Sequence, residues 1–253
     1  MLEQTRLSPS SDASTGLQAK RVVESAPDAS VSSPAVPNFG ELPDLLLVER
    51  TRGRDTRAFE TLMRRYNRRL YRIARSILSN DDLAEEAVRA AYFRAFVNID
   101  RYEPAGKFGA WLARLAFNEA LALRRHSPAS SPLSAPQSPA APAAEGSEAA
   151  TFSAKQLEDA VDALPEVFRT VLVLRVIEDL SGVEVAVCLG LNETTVRTRL
   201  YRAQQRLKPD VARQLRAEAF NIYELTTERA DRIVTQVFGK LHTAGTAVSS
   251  ESR

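Results

Sequence analysis

The chain has 253 residues, longer than one ordinary domain, and its hydrophobic share of 44% beside a charged share of 26% is that of a soluble globular protein. No run approaches the roughly 20 apolar residues of a membrane span, and the opening MLEQTRLSPS lacks the apolar stretch of a secretory signal, so the expected compartment is the cytoplasm, with no membrane insertion. A single cysteine, Cys188, excludes an internal disulfide, His126 and His242 are too few for a zinc cluster, and a net charge of +2 excludes a uniformly basic coat for nucleic acid; no metal or cofactor is expected.

Residues 1–43 are rich in Ser, Ala, Pro and Asp without a lasting period, the composition of a disordered tail. From Asp44 the pattern becomes helical. Phe59, Leu62, Met63, Tyr66, Leu70, Ile73, Ala74 and Ile77 recur at spacings of three and four, which predicts an amphipathic helix ending near Ser79. Asn80, Asp81 and Asp82 suit the start of a second helix with Leu83, Ala87, Val88, Ala91, Tyr92 and Ala95 on its buried stripe. Pro104 and Gly106 interrupt the pattern, and a third helix begins near Lys107 with Phe108, Trp111, Leu112, Leu115 and Leu123 on one side. Residues 44–126 therefore read as a small helical bundle.

Residues 127–152 form a Pro/Ser/Ala stretch that cannot hold a helix through its prolines. About 25 residues at roughly 3.3 Å each reach about 80 Å when extended, enough for two domains to occupy separate sites on a duplex. The second domain, 153–208, opens with Leu157, Val161 and Leu164, pauses at Pro165 and continues as an apolar helix, VFRTVLVLRVIEDL. Its remaining segment predicts a helix-turn-helix. Ser181 caps a short helix, Ala186 is small where that helix must approach the next, Gly190 permits a tight turn, and Asn192 caps a longer helix, ETTVRTRLYRAQQRL. With Leu180, Val185, Leu189, Leu191, Val196 and Leu200 in the core, the residues Thr194, Thr195, Arg197, Thr198, Arg199, Tyr201 and Arg202 are left towards solvent. That set suits phosphates and base edges in a major groove, and Arg206 suits a phosphate. A protein-binding helical hairpin with an arginine-rich face is the competing reading. The extension, 209–253, carries one more periodic stretch, ERADRIVTQVFGKL, whose Ile233, Val234, Val237 and Leu241 call for a docking surface that the sequence does not identify.

The segment LPEVFRTVLVLRVIEDLSGVEVAVCLGLNETTVRTRLYRAQQRL resembles the fourth conserved region of extracytoplasmic-function sigma factors, which reads the minus-thirty-five promoter element; Leu164, Pro165, Glu184, Ala186, Thr195, Val196, Thr198, Arg199, Leu200, Arg202 and Ala203 stand in the matching places. Val185 replaces the usual Ile, and Glu193 stands where a small residue is common. Independently, KFGAWLARLAFNEALALRRH resembles the family's second region, with Phe108, Trp111, Leu112, Ala116, Asn118, Arg124 and Arg125 in register. The resemblance implies an all-α fold of two small helical domains and contacts to the melted minus-ten strand from Arg101, Tyr102, Lys107, Phe108, Arg114, Asn118, Arg124 and Arg125. Exposed flat or basic groups are what unstacked bases and a displaced strand require. For Phe108 and Trp111, plain core is the alternative.

The helix DDLAEEAVRAAYFRAF is similar to the family's polymerase-binding helix, which implies core RNA polymerase contacts from Asp82, Glu85, Glu86 and Arg89. Glu85 occupies a position where the family has glutamine. Taken alone, acids at a helix start are explained by the macrodipole. The resemblance further implies promoter DNA and an anti-sigma factor as partners and no enzymatic activity, in keeping with the lack of a catalytic constellation in the sequence. Two alternatives remain at this point: a helix-turn-helix regulator acting without polymerase, and a sigma-like decoy for an anti-sigma factor.

Overall fold

A computed structural model describes residues 38–103, 107–126 and 151–250; the expected tail up to residue 37 and the linker from 127 to 150 lie outside these residues. All regular elements among them are helical. Helix α1 spans Asp44–Arg52, α2 spans Thr56–Leu78, α3 spans Asp81–Val97 and α4 spans Phe108–His126. Asp55 starts α2 by accepting the amides of Arg57 and Ala58, and Asn80 starts α3 by accepting the amide of Leu83 at 2.9 Å. Between them Ser79 takes φ +50°, the left-handed conformation that ends one helix so that the next can reverse.

These helices pack along the predicted stripes. Phe59, Leu62, Met63, Leu70 and Ile73 of α2 are buried against Ala87, Val88, Ala91 and Tyr92 of α3 and Leu112, Ala116 and Ala120 of α4. Each large apolar side chain so buried contributes roughly 1.5–3 kcal/mol. The alanines of α3 and α4 let the helix axes come close, and the buried Tyr92 hydroxyl donates to the Met63 carbonyl at 2.9 Å. The approach is tightest at Gly109, where an added Cβ would lie 2.5 Å from Tyr66 Cε1. Residues 38–43, expected in the tail, also join this body: a short turn at Phe39–Glu41 and the carbonyls of Gly40 and Leu42, each 3.0 Å from Arg65 Nη2, tie them to α2.

The second half contains α5 (Ala154–Asp162), α6 (Glu166–Leu172), α7 (Gly182–Leu189), α8 (Glu193–Arg206), α9 (Pro209–Ala217) and α10 (Thr227–Ser250). The apolar run expected as one helix instead widens after α6 into a π-helical turn, Val173–Ile177, closed by the Glu178 amide on the Val173 carbonyl at 2.9 Å. Glu178 and the left-handed Asp179 then redirect the chain towards α7.

The two halves are packed together, whereas the sequence alone suggests domains held apart by a string. Helix α2 lies on α6 and α4 lies on α7. Glu178 receives Arg69 at 3.1 Å and Arg72 at 2.9 Å, Asp162 receives Arg75 at 3.0 Å, and Arg169 donates to the Ser76 carbonyl at 2.5 Å. Arg69, Arg72 and Arg75 of α2 thus form an internal seam. Burial lowers the pKa of the Arg169 guanidinium, partly countered by Tyr223 and Asp162 beside it.

Candidate nucleic-acid interface

The helix-turn-helix is built by three local devices. Ser181 and Glu184 form a reciprocal capping box at the start of α7, with the Ser181 amide donating to Glu184 at 2.8 Å and the Glu184 amide donating to Ser181 Oγ at 3.2 Å. Gly190 at φ +66° ends α7, and the Leu191 amide returns to the Ala186 carbonyl at 2.9 Å. Asn192 Oδ1 then accepts the Thr195 amide at 2.7 Å and starts α8. Val196 and Ala203 anchor α8 in the core. Its outer face presents Thr194, Arg197, Thr198, Tyr201, Arg202 and Arg206, with Thr195 and Arg199 half-buried beside them. Tyr201 is 62% exposed, a large ring left in water with no internal packing to account for it. Arg206 lies 4.8 Å from the centre of the Phe168 ring, which aims its guanidinium while leaving its edge accessible.

On the first half, Arg101, Lys107, Arg114, Asn118 and Arg125 are exposed and Arg124 is half-buried, all on or just before α4. Tyr102 and Phe108 are buried: their rings meet edge to face at 5.3 Å, and Phe108 also meets Tyr66 at 5.8 Å. Trp111 is half-buried, 5.3 Å from Tyr102. Residues 104–106 of the neighbouring loop lie outside the described residues. Between α4 and α7 runs a cleft of about 630 Å³ whose walls include Arg101, Trp111, Arg114, Val183 and Val187.

A family model described as Sigma-70 region 2 matches residues 62–127, and one described as Sigma-70, region 4 matches residues 154–207. The chain is 30% identical to the ECF RNA polymerase sigma factor SigW of Bacillus subtilis over 173 residues, covering 61% of this chain and 89% of that protein. It belongs to the extracytoplasmic-function sigma factors. The ECF RNA polymerase sigma-E factor of Escherichia coli K12 is 28% identical over 65% of this chain and 92% of its own length. Among solved structures, CnrH in complex with the cytosolic domain of CnrY aligns with TM-score 0.49 at 24% identity, over 69% of this chain and 98% of that one.

In this sigma factor, two residues expected at the minus-ten strand are held by acids of region 4: Lys107 Nζ lies 2.7 Å from Glu184, and Arg124 is paired with Glu166. The Lys107 hydrogen bond, helped by the Ser181 backbone, holds the Glu184 carboxyl at a pKa of about 2. Tyr102 and Phe108 are core residues as placed here, so stacking on a base requires them to leave the bundle. The Cys188 thiol is pushed up to about 12 by burial, which removes it as a nucleophile. No helix is long and apolar enough to cross a membrane, and no cluster of metal-ligating side chains occurs among the described residues.

The residues expected at core polymerase are divided. Asp82 and Glu86 are exposed and Arg89 is half-buried, but the Glu85 side chain is only 4% exposed. It sits among Arg89 at 3.5 Å, Arg232 at 3.1 Å and Arg229, the last two from α10. Neither arginine of α10 is marked by its spacing in the sequence. The only available signal was the apolar period of Ile233, Val234 and Val237, which announces a docked helix without saying where it docks.

Proposed function

We propose that this sigma factor engages core RNA polymerase through Asp82, Glu85, Glu86 and Arg89 of α3, steadies the unpaired minus-ten strand with the basic side of α4, and reads the minus-thirty-five element with α8. It does so in the cytoplasm, with no catalysis of its own. The observation that carries this reading is the outer face of α8, where Arg197, Thr198, Tyr201 and Arg202 project from a helix capped at its start and anchored beneath by Val196 and Ala203. A helix so mounted enters a major groove with its first turns foremost. Arginine forks there match guanine edges, threonine hydroxyls match phosphates or bases, and the distal Arg206 suits a phosphate. Glu193, 3.9 Å from Arg197, disfavours nearby phosphates and favours a cytosine amino group.

Engaging two promoter elements at once requires the seam between the halves to open, because α8 and α4 must then lie on different stretches of DNA. Opening releases Lys107 and Arg124 from Glu184 and Glu166, so the same cations become available to the displaced strand's phosphates. The residue 127–152 tether has the length for this separation. An anti-sigma partner fits this scheme as a protein that binds the closed form in preference to the open one.

The test is reconstitution with purified core RNA polymerase. Association with core and promoter-dependent RNA synthesis are expected. Binding to duplex DNA with no core association overturns the reading in favour of a helix-turn-helix regulator, and core binding without promoter-dependent synthesis favours a decoy.

A further inference from the structure

The C-terminal helix occupies the surface assigned above to polymerase. Ile233, Val234 and Val237 of α10 are buried against α2 and α3, with Phe238 6.4 Å from Phe59 and Lys240 4.6 Å from the centre of the Phe93 ring. At the near end, Arg229 pairs with Glu85 and lies 3.5 Å from Asp82 and 3.9 Å from Asp81, while Arg232 lies 3.1 Å from Glu85. Asp231 reaches back to Arg64 at 2.7 Å. A carboxylate buried to 4% exposure needs compensating charge, and α10 supplies two of its three guanidinium partners. An acid at this place, where the family pattern has glutamine, is matched to those arginines.

We infer that α10 is a built-in competitor of core RNA polymerase: seated, it covers Glu85 and neutralises the acidic face of α3, and polymerase binds only the fraction of molecules in which α10 has lifted off. This rests on the assignment of α3 to polymerase. The apparent affinity is then the intrinsic one reduced by the fraction open. Helix α10 joins the other described helices through the stretch between α9 and Thr227, residues 218–226, which form no α-helix.

The experiment titrates the full chain and its Arg229→Glu/Arg232→Glu variant with purified core polymerase by fluorescence anisotropy. Charge reversal opposite Asp81, Asp82 and Glu85 unseats α10, and the variant is expected to bind at least about tenfold more tightly. Equal or weaker binding by a variant of native helical content overturns the inference while leaving the polymerase assignment standing. If the variant is misfolded by circular dichroism, hydrogen exchange on the unsubstituted chain decides: backbone amides of residues 231–241 must lose protection when core is added, and unchanged protection in the complex overturns the inference. Failure of both chains to bind core removes the assignment of α3 and the inference with it.

Discussion

Lys107 of region 2 and Glu184 of region 4 share a hydrogen bond of 2.7 Å, so a cation proposed to meet a DNA strand is here paired with an acid of the other region. The same carboxylate belongs to the capping box of α7. Closure of the molecule and the start of the helix-turn-helix are thereby linked at one side chain.

That link has a defined pH response. The Glu184 carboxyl is depressed from its ordinary 4.5 to about 2 by Lys107 and the Ser181 backbone. A depressed carboxylate contributes stability that is complete above its unfolded value and is lost as pH falls through the folded one. Glu184 therefore stabilises the folded state down to about pH 4.5 and ceases to between there and about pH 2. In Glu184→Gln this contribution to the acid transition should disappear, as followed by intrinsic fluorescence of Trp111 beside the cleft; an acid transition identical to that of the parent chain would contradict it.

Glu178 is the least replaceable acid of the seam. Its side chain is 7% exposed and that of Arg72 is 3% exposed, so Glu178→Ala strands a buried guanidinium. Removing one partner of such a pair costs roughly 3–5 kcal/mol. Urea titration of the variant should show a loss of that size, and a loss below about 1 kcal/mol, the scale of a surface pair, would place the seam in solvent.

Gly109 tests the packing of α4 on α2. A methyl group there meets the Tyr66 ring at 2.5 Å, a distance that forces the ring or the helix to move. Gly109→Ala should lower stability by about 1–3 kcal/mol, the usual cost of overpacking, despite alanine's better helix propensity. Thermal denaturation measures it; a stabilised variant would show that the two helices stand further apart.

Arg199 and Arg202 test the proposed reading face of α8. Arg199→Ala and Arg202→Ala should each weaken binding to a minus-thirty-five duplex by roughly 1–3 kcal/mol if a base edge is lost. A phosphate contact would instead weaken all sequences alike and reduce the salt dependence. Competition between specific and random duplexes separates the two, and unchanged affinity in both variants retires the assignment.

The helices of both regions were legible along the chain because their signals are local. The stripe from Phe59 to Ile77, the caps at Asn80, Ser181 and Asn192, and the left-handed Gly190 depend on residues a turn away, and each one is found where its pattern placed it. Their agreement also made the sigma-factor resemblance specific. Tertiary structure alone decided what the charges do. Arg72 and Glu178 are 106 residues apart in the chain, and Arg229 and Glu85 are 144 apart. No periodicity distinguishes an arginine bound for phosphate from one bound for a carboxylate on a distant helix, because an ion pair needs only proximity in space. The same limit applied to Phe108, which became core when Tyr66 and Tyr102 closed around it, and to α10, whose apolar stripe demanded a surface that only the assembled face of α2 and α3 could supply.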